Sequence, residues 1–301
     1  MFFPFIKYSK VYYIISIALI GISIFSLVKF GLNYGIEFVG GSIIEIEYKD
    51  NRPVNQEISK TLEGIDLGTF SIQPVGDKGV MIKMKDINEE THQEAIRNLS
   101  QNGQIAIEEK RFESIGPVVG RELKQKTLSA IIFALIAIVS YIALAFRKVR
   151  RPISSLRYGV TALVSLFHDV LIPIGALALM GKFYGLQITI PIVAALLTIQ
   201  GYSVHNTIVV FDRIRENLSK GAGKTFEETV DKSINQTLMR SFSTSFTVLL
   251  MVVAIFLVGG ETLHDFAFTL IVGVIVGTYT SVLVASPLLV SWYQRGIKVK
   301  K

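Results

Sequence analysis

Six long stretches of this chain carry almost no charge, and they constrain its fold more than any other feature. They cover residues 11–28, 127–146, 158–181, 183–211, 241–260 and 266–294, and run for 18, 20, 24, 29, 20 and 29 residues. Only His168, Asp169 and His205 interrupt them with a carboxyl or imidazole group. About 20 apolar residues are needed for a helix to cross the hydrocarbon core of a bilayer, and every stretch is close to that length or beyond it. A soluble bundle of six such helices would need polar residues to cover it. Only 18% of the 301 residues are charged, against about a quarter in a soluble protein. The expected fold class is therefore a polytopic α-helical membrane protein with a six-span bundle.

The Lys and Arg residues set the expected orientation. Alternate connections and both ends hold 17 of them: Lys7, Lys10, Arg147, Lys148, Arg150, Arg151, Arg157, Arg213, Arg215, Lys220, Lys224, Lys232, Arg240, Arg295, Lys298, Lys300 and Lys301. The opposite short loops hold Lys182 alone. Cations gather on the cytoplasmic side of short loops, so both termini are expected there. The first stretch lacks a small-x-small cleavage site and reads as a retained anchor rather than a removed signal. The expected organisation is a cytoplasmic N-terminus and first span over 1–30, an extracytoplasmic head over 31–126, spans two to six over 127–294, and a basic tail over 295–301. The head, with 12 cations and 16 anions, is mildly acidic.

The head's pattern reads β-α-β-β-α-β. Ile44, Ile46 and Tyr48 alternate with Glu45, Glu47 and Lys49, as in a half-buried strand. Val54, Ile58 and Leu62 recur at helical spacing. Residues 70–75 and 80–85 flank a turn at Gly76, Asp77, Lys78 and Gly79. Asp86 and Glu89 resemble a capping box for a helix ending at Leu99, and 104–112 reads as the last strand. That order predicts a small ferredoxin-like α+β head. Gly40 and Gly41 on one side, with Gly116 and Gly120 on the other, are hinge candidates.

Several chemistries are excluded by the residues present. There are no cysteines, which removes disulfides, thiolate metal sites and cysteine nucleophiles. The net charge of +7 is spread over loops as a topology signal and forms no nucleic-acid patch. Gly223, Lys224 and Thr225 look like the end of a phosphate-binding loop, but the required earlier glycine is Leu218. His92, His168, His205 and His264 lack metalloprotease spacing. No cofactor, no metal site and no enzymatic activity are expected.

Polar groups inside spans are costly and point to function. Asp169 lies roughly 18 Å from Arg157 along a helix rising about 1.5 Å per residue, near the expected midplane. Thr161, Ser165 and Asp169 share its face. His168 and Asp169 are adjacent on that helix and are not expected to face each other. In the fourth span Thr198, Gln200, Gly201, Ser203, His205, Asn206 and Thr207 ring two turns with polar or small groups. Arg240, at a similar depth on the fifth, is expected to face Asn206. Gly273, Gly277, Ser281 and Ala285 form a close-packing stripe on the sixth.

The fourth-span run from Gly201 to Glu216, with Tyr202, Ser203, Thr207, Asp212 and Arg213, resembles the signature of the SecF subunits of the SecD/SecF protein-export family. Gly31 to Gly41, Ile115 to Leu123, the His168-Asp169 pair, Asn235 to Arg240 and Gly259 to Asp265 fit the same family. The resemblance implies half of a resistance-nodulation-division transporter, with SecD as the other half. It further implies a place in the cell membrane beside the SecYEG channel, with YajC as a neighbour and exported polypeptides as clients. Ion flow, usually of protons, would drive the outer heads. The family reads Ser-Ile-Asn-Asp-Thr in span four and ties that Asp to proton passage; here His205 and Asn206 occupy the matching positions. Arg240 matches the coupling arginine. Two other readings stay open: a half-size exporter of small molecules or lipids, and an uncoupled scaffold at the export channel.

Overall fold

A computed structural model describes residues 2–146 and 154–298. Arg147, Lys148, Arg150, Arg151, Lys300 and Lys301, all counted above for orientation, lie outside the described residues. The chain divides into two compact units, one of residues 34–129 and one of the remainder.

The smaller unit holds four strands, β1 (Gly41–Tyr48), β2 (Ser71–Val75), β3 (Gly79–Met84) and β4 (Ile107–Ile115), in the antiparallel order β2-β3-β1-β4. A short helix α2 (Ile36–Val39) precedes β1, and α3 (Asn55–Thr61) and α4 (Glu89–Leu99) cross one face of the sheet. The β-α-β-β-α-β order is the one read from the sequence. Ile44, Ile46, Tyr48, Val80 and Ile82 alternate along their strands and pack on Ile58, Leu62, Ala95 and Leu99 of the helices. The residue that caps α4 is Asn88, which accepts from the Thr91 N–H at 2.9 Å, and not Asp86. Asp86 instead accepts from the Ser114 hydroxyl at 2.7 Å.

The last strand starts three residues later than the expected 104. A bulge in its pairing with β1 puts Arg111 opposite Glu45 and Glu109 opposite Ile46. The extra residue turns both Phe112 and Glu109 toward α4. There His92 lies flat on Phe112 with ring centroids 3.7 Å apart and bonds to Glu109 at 3.0 Å and Glu89 at 3.3 Å.

The larger unit contains α1 (Ser9–Phe30), most of α5 (Pro117–Phe146), α6 (Ser155–Tyr184), α7 (Ile190–Ser219), α8 (Phe226–Val258) and α9 (Glu261–Thr280). A π-helical turn, Ser281–Ala285, joins α9 to α10 (Ser286–Lys298), and the two read together as one span. Among the described residues, six helical segments are thus long and apolar enough to cross a membrane. One boundary differs from the sequence reading. The fourth uncharged run begins inside α6, which ends where Gly185 takes a left-handed φ of +72°. Its extended successors reach Ile188, whose N–H donates to the Asn33 carbonyl at 2.6 Å.

Burial on α1 is inverted relative to a helix of a soluble protein. On α1 the buried residues are Ser16, Ser23 and Ser26, while Val11, Ile14, Ile17, Ile22 and Phe25 are exposed. Small side chains let helix backbones approach where lipid supplies no hydrophobic drive for association. The contact that depends on this most is α1 against α6: a Cβ built on Gly175 would stand 2.4 Å from Ser23 Cβ and 2.5 Å from its Cα. Gly175→Ala should lower the melting temperature of the detergent-purified protein, the equivalent of about 1–3 kcal/mol of overpacking. Ser23→Gly in the same chain should recover part of that loss. A Gly175→Ala protein that melts like the parent would remove this contact from the account.

Candidate functional site

The site grows from the face of α6 that carries Thr161, Ser165 and Asp169. All three are buried, and Asp169 is 0% exposed. Pro173 supplies no N–H, so the carbonyl of Asp169, four residues earlier, loses its helical donor at this depth. A carboxylate removed from water needs partners of its own. Asp169 has them on both oxygens. Ser203 of α7 donates its hydroxyl to Oδ2, and His168 Nδ1 lies 3.0 Å from Oδ1.

The last contact corrects the sequence expectation that His168 and Asp169 look apart. Their Cβ atoms do diverge around the helix, but both side chains are long enough to curl into the same interhelical seam. The far side of His168 meets α9. Thr280 Oγ1 is 3.1 Å from Nδ1, the Tyr279 hydroxyl is 3.2 Å from Nε2, and the two rings stand edge to face. A continuous polar chain therefore runs Ser203–Asp169–His168–Tyr279 across three helices. Neither Tyr279 nor Thr280 was a candidate from the sequence. Their position between Gly277 and Ser281 of the small-residue stripe was the available signal.

The glycine stripe is what lets these groups meet. A Cβ on Gly273 would fall 2.1 Å from Ile199 Cδ1, and one on Gly277 would fall 3.0 Å from Ser203 Cβ. Gly277 thereby seats α9 directly over the serine that bonds Asp169. Beside it, Tyr202 of α7 donates to Ser245 of α8, and Thr278 of α9 donates to the same Ser245 at 2.8 Å.

The other expected residues divide. The polar ring of α7 is not buried all round. Gln200, Ser203, Asn206 and Thr207 face inward, while Thr198, Gly201 and His205 are exposed. The Asn206 amide nitrogen and the Gln200 amide oxygen are buried without a partner among the described residues. Arg240 is also exposed, on α8, and no hydrogen bond joins it to Asn206. Asp212 pairs with Arg215 at 2.6 Å and Arg213 with Glu216 at 2.5 Å, at the end of α7. Arg213 also donates to Gln236 at 2.7 Å, and Asn217 donates to Ser233 at 2.9 Å, which ties α7 to α8. Among the described residues no group of three His, Cys, Asp or Glu side chains is placed to hold a metal.

In the smaller unit Gly40 and Gly41 have φ of +81° and +133°. A Cβ on Gly40 would meet Pro117 Cα at 2.9 Å, one on Gly41 the Met84 carbonyl at 2.7 Å, and one on Gly120 the Gly40 nitrogen at 2.9 Å. Gly116 has ordinary clearance, with Asp86 Oδ2 at 3.5 Å.

Sequence and structural relatives agree with one another. Residues 95–295 match the family model "Protein export membrane protein SecD/SecF, C-terminal", and residues 25–51 match the "SecD/SecF GG Motif". Proteins named protein translocase subunit SecF from Thermobaculum terrenum and Desulfurispirillum indicum are 38% and 39% identical, covering 95% and 99% of this chain and 93% and 94% of theirs. A crystal structure of SecDF, a translocon-associated membrane protein from Thermus thermophilus, superposes with a TM-score of 0.84 at 33% identity over 98% of the chain. This chain spans 39% of that longer protein. With a six-span bundle, a GG motif at the entrance to the small unit and full-length identity to these subunits, the chain is a multi-pass membrane protein of the SecD/SecF protein-export family.

Proposed function

We propose that the chain works as the SecF-type subunit of a protein-export assembly. It pairs with a SecD-type partner beside a SecYEG channel and its YajC neighbour, and uses an ion gradient to promote late translocation of exported polypeptides. The observation that carries this reading is the near-complete, end-to-end similarity to named SecF subunits. The exposed polar face of the bundle supports a membrane partner. His205 of α7, with Arg240 and Ser243 of α8, would otherwise meet lipid, which satisfies none of them.

Asn206 cannot titrate, so within this chain Asp169, bonded to His168, and His205 are the remaining candidates for carrying the ion. Asn206 and Arg240 then serve the partner, Arg240 by answering a carboxylate on it. In the head, Gly40, Gly41 and Gly120 are filled in by neighbouring backbone, which favours the head moving as one piece. Gly116 is the better candidate for a hinge.

We assign both termini and the α7–α8 connection to the cytoplasm, and residues 31–126 to the outer face. Protease added outside intact spheroplasts should cut only in the head. Cleavage between Arg213 and Lys232 would reverse the orientation.

Coupling is tested by export into sealed vesicles holding this chain and its partner, with proton and sodium gradients imposed separately. Asp169→Asn should drop export to the level seen without a gradient, and His205→Ala should cause a smaller loss. If both variants export like the parent under every gradient, neither residue carries the ion. A parent indifferent to both gradients would favour the scaffold.

A further inference from the structure

We infer that His168 exchanges its proton at Nε2 alone, and that Tyr279 and Thr280 are the positioning residues that impose this. The inference rests on the ion-coupling reading above and names the atom through which the Asp169–His168 pair would work.

The donors and acceptors around one buried ring determine where its proton can move. His168 is 3% exposed, so its nitrogens must be satisfied by protein groups. At Nδ1 there are two neighbours, Asp169 Oδ1 at 3.0 Å and Thr280 Oγ1 at 3.1 Å. The Thr280 hydroxyl spends its only proton on the Val276 carbonyl, 2.9 Å away on its own helix. It can therefore only accept at Nδ1. The ionised Asp169 can only accept as well. Two acceptors at one nitrogen require that nitrogen to carry the hydrogen, in the neutral ring and the charged ring alike.

Nε2 is left as the variable position, and its partner there is the Tyr279 hydroxyl at 3.2 Å. A phenol both donates and accepts. It donates to Nε2 when the ring is neutral and accepts from it when the ring is an imidazolium, so either state is satisfied by turning one O–H. The opposite end of the chain behaves differently. Ser203 donates to Asp169 Oδ2 and holds that oxygen as an acceptor.

The backbone keeps Tyr279 and Thr280 in place. They are the last two residues of α9, immediately before the π-helical turn Ser281–Ala285. Just past that turn the Ser286 hydroxyl donates back to the Ser281 carbonyl at 3.0 Å. π-Helical turns are rare and concentrate at functional sites.

The test is nitrogen NMR of histidine-labelled protein, reconstituted with its partner in lipid nanodiscs, across a pH series. The chain has only four histidines, and His168→Gln identifies the signal. The neutral ring of His168 should be the Nδ1–H tautomer, with Nε2 shifted by an accepted hydrogen bond. Tyr279→Phe keeps the ring stacking but should abolish that shift. It should also stop Nε2 from taking up the ring's second proton over the pH range in which the parent does, while leaving Nδ1–H and partner assembly intact. A neutral Nε2–H tautomer in the parent, or an Nε2 unaffected by Tyr279→Phe, overturns the assignment. The expected tautomer together with export that ignores every gradient would keep the positioning and overturn the coupling it is meant to serve.

Discussion

A bilayer offers no hydrogen bond to a side chain, and the organisation of the bundle follows from that. Each polar group at membrane depth must find its partner on a neighbouring helix, on its own backbone, or in another protein. Most hydroxyls of these spans take the second course. Ser165, Ser233, Thr237, Ser245, Thr269 and Thr280 each donate to the carbonyl four residues earlier. Asp169 cannot do so. Its two oxygens require side-chain donors, and Ser203 of α7 and the neighbouring His168, itself held by α9, supply them. Close approach of those helices is in turn possible only because Gly273 and Gly277 present no side chain at the crossing.

This makes the packing and the candidate chemistry one problem. Widening the α7–α9 crossing by a single methylene at Gly277 would press on the serine that holds Asp169. Loss of the Asp169 carboxylate would leave a serine hydroxyl and an imidazole nitrogen short of their main partner, with Thr280 as the remaining acceptor. Buried polar networks rigidify a site when every member is satisfied and become costly when one is not. The Asn206 amide nitrogen and the Gln200 amide oxygen are among the buried atoms that find no partner among the described residues.

Much of this was legible in the residues. The uncharged runs gave the spans because charge is excluded from hydrocarbon, and alternation in the head gave its strands because one face of the sheet is buried. Asp169 stood out as a lone carboxylate at membrane depth. What could not be read was tertiary. That α6 ends at Gly185 is invisible in a run whose composition does not change there. The β4 bulge that turns Glu109 toward His92 breaks the alternation that periodicity relies on. Helical spacing alone set His168 and Asp169 apart, because it counts Cβ directions and not the reach of side chains. Tyr279 and Thr280 drew no attention because an aromatic and a threonine in an apolar span are ordinary until a buried imidazole is found between them. Asp231 and Asn235 show the same limit. They bind the backbone of Ile6 and Phe3, more than 220 residues away in sequence.

The central claim is that a proton is held between α6 and α9, at Asp169 and His168, and not at the amide of Asn206. Infrared difference spectroscopy of the reconstituted protein and its partner tests it most directly, by recording the imidazolium ring modes of His168 and the carboxylate stretch of Asp169 as the pH is lowered. The account predicts that imidazolium bands rise in the parent while Asp169 stays ionised and that these bands are missing in His168→Gln. The carboxylate band should be missing in Asp169→Asn and should move in Ser203→Ala, which removes the donor to Oδ2. A rising band of a protonated buried acid that is lost in Asp169→Asn, or imidazolium bands that survive His168→Gln unchanged, would contradict it.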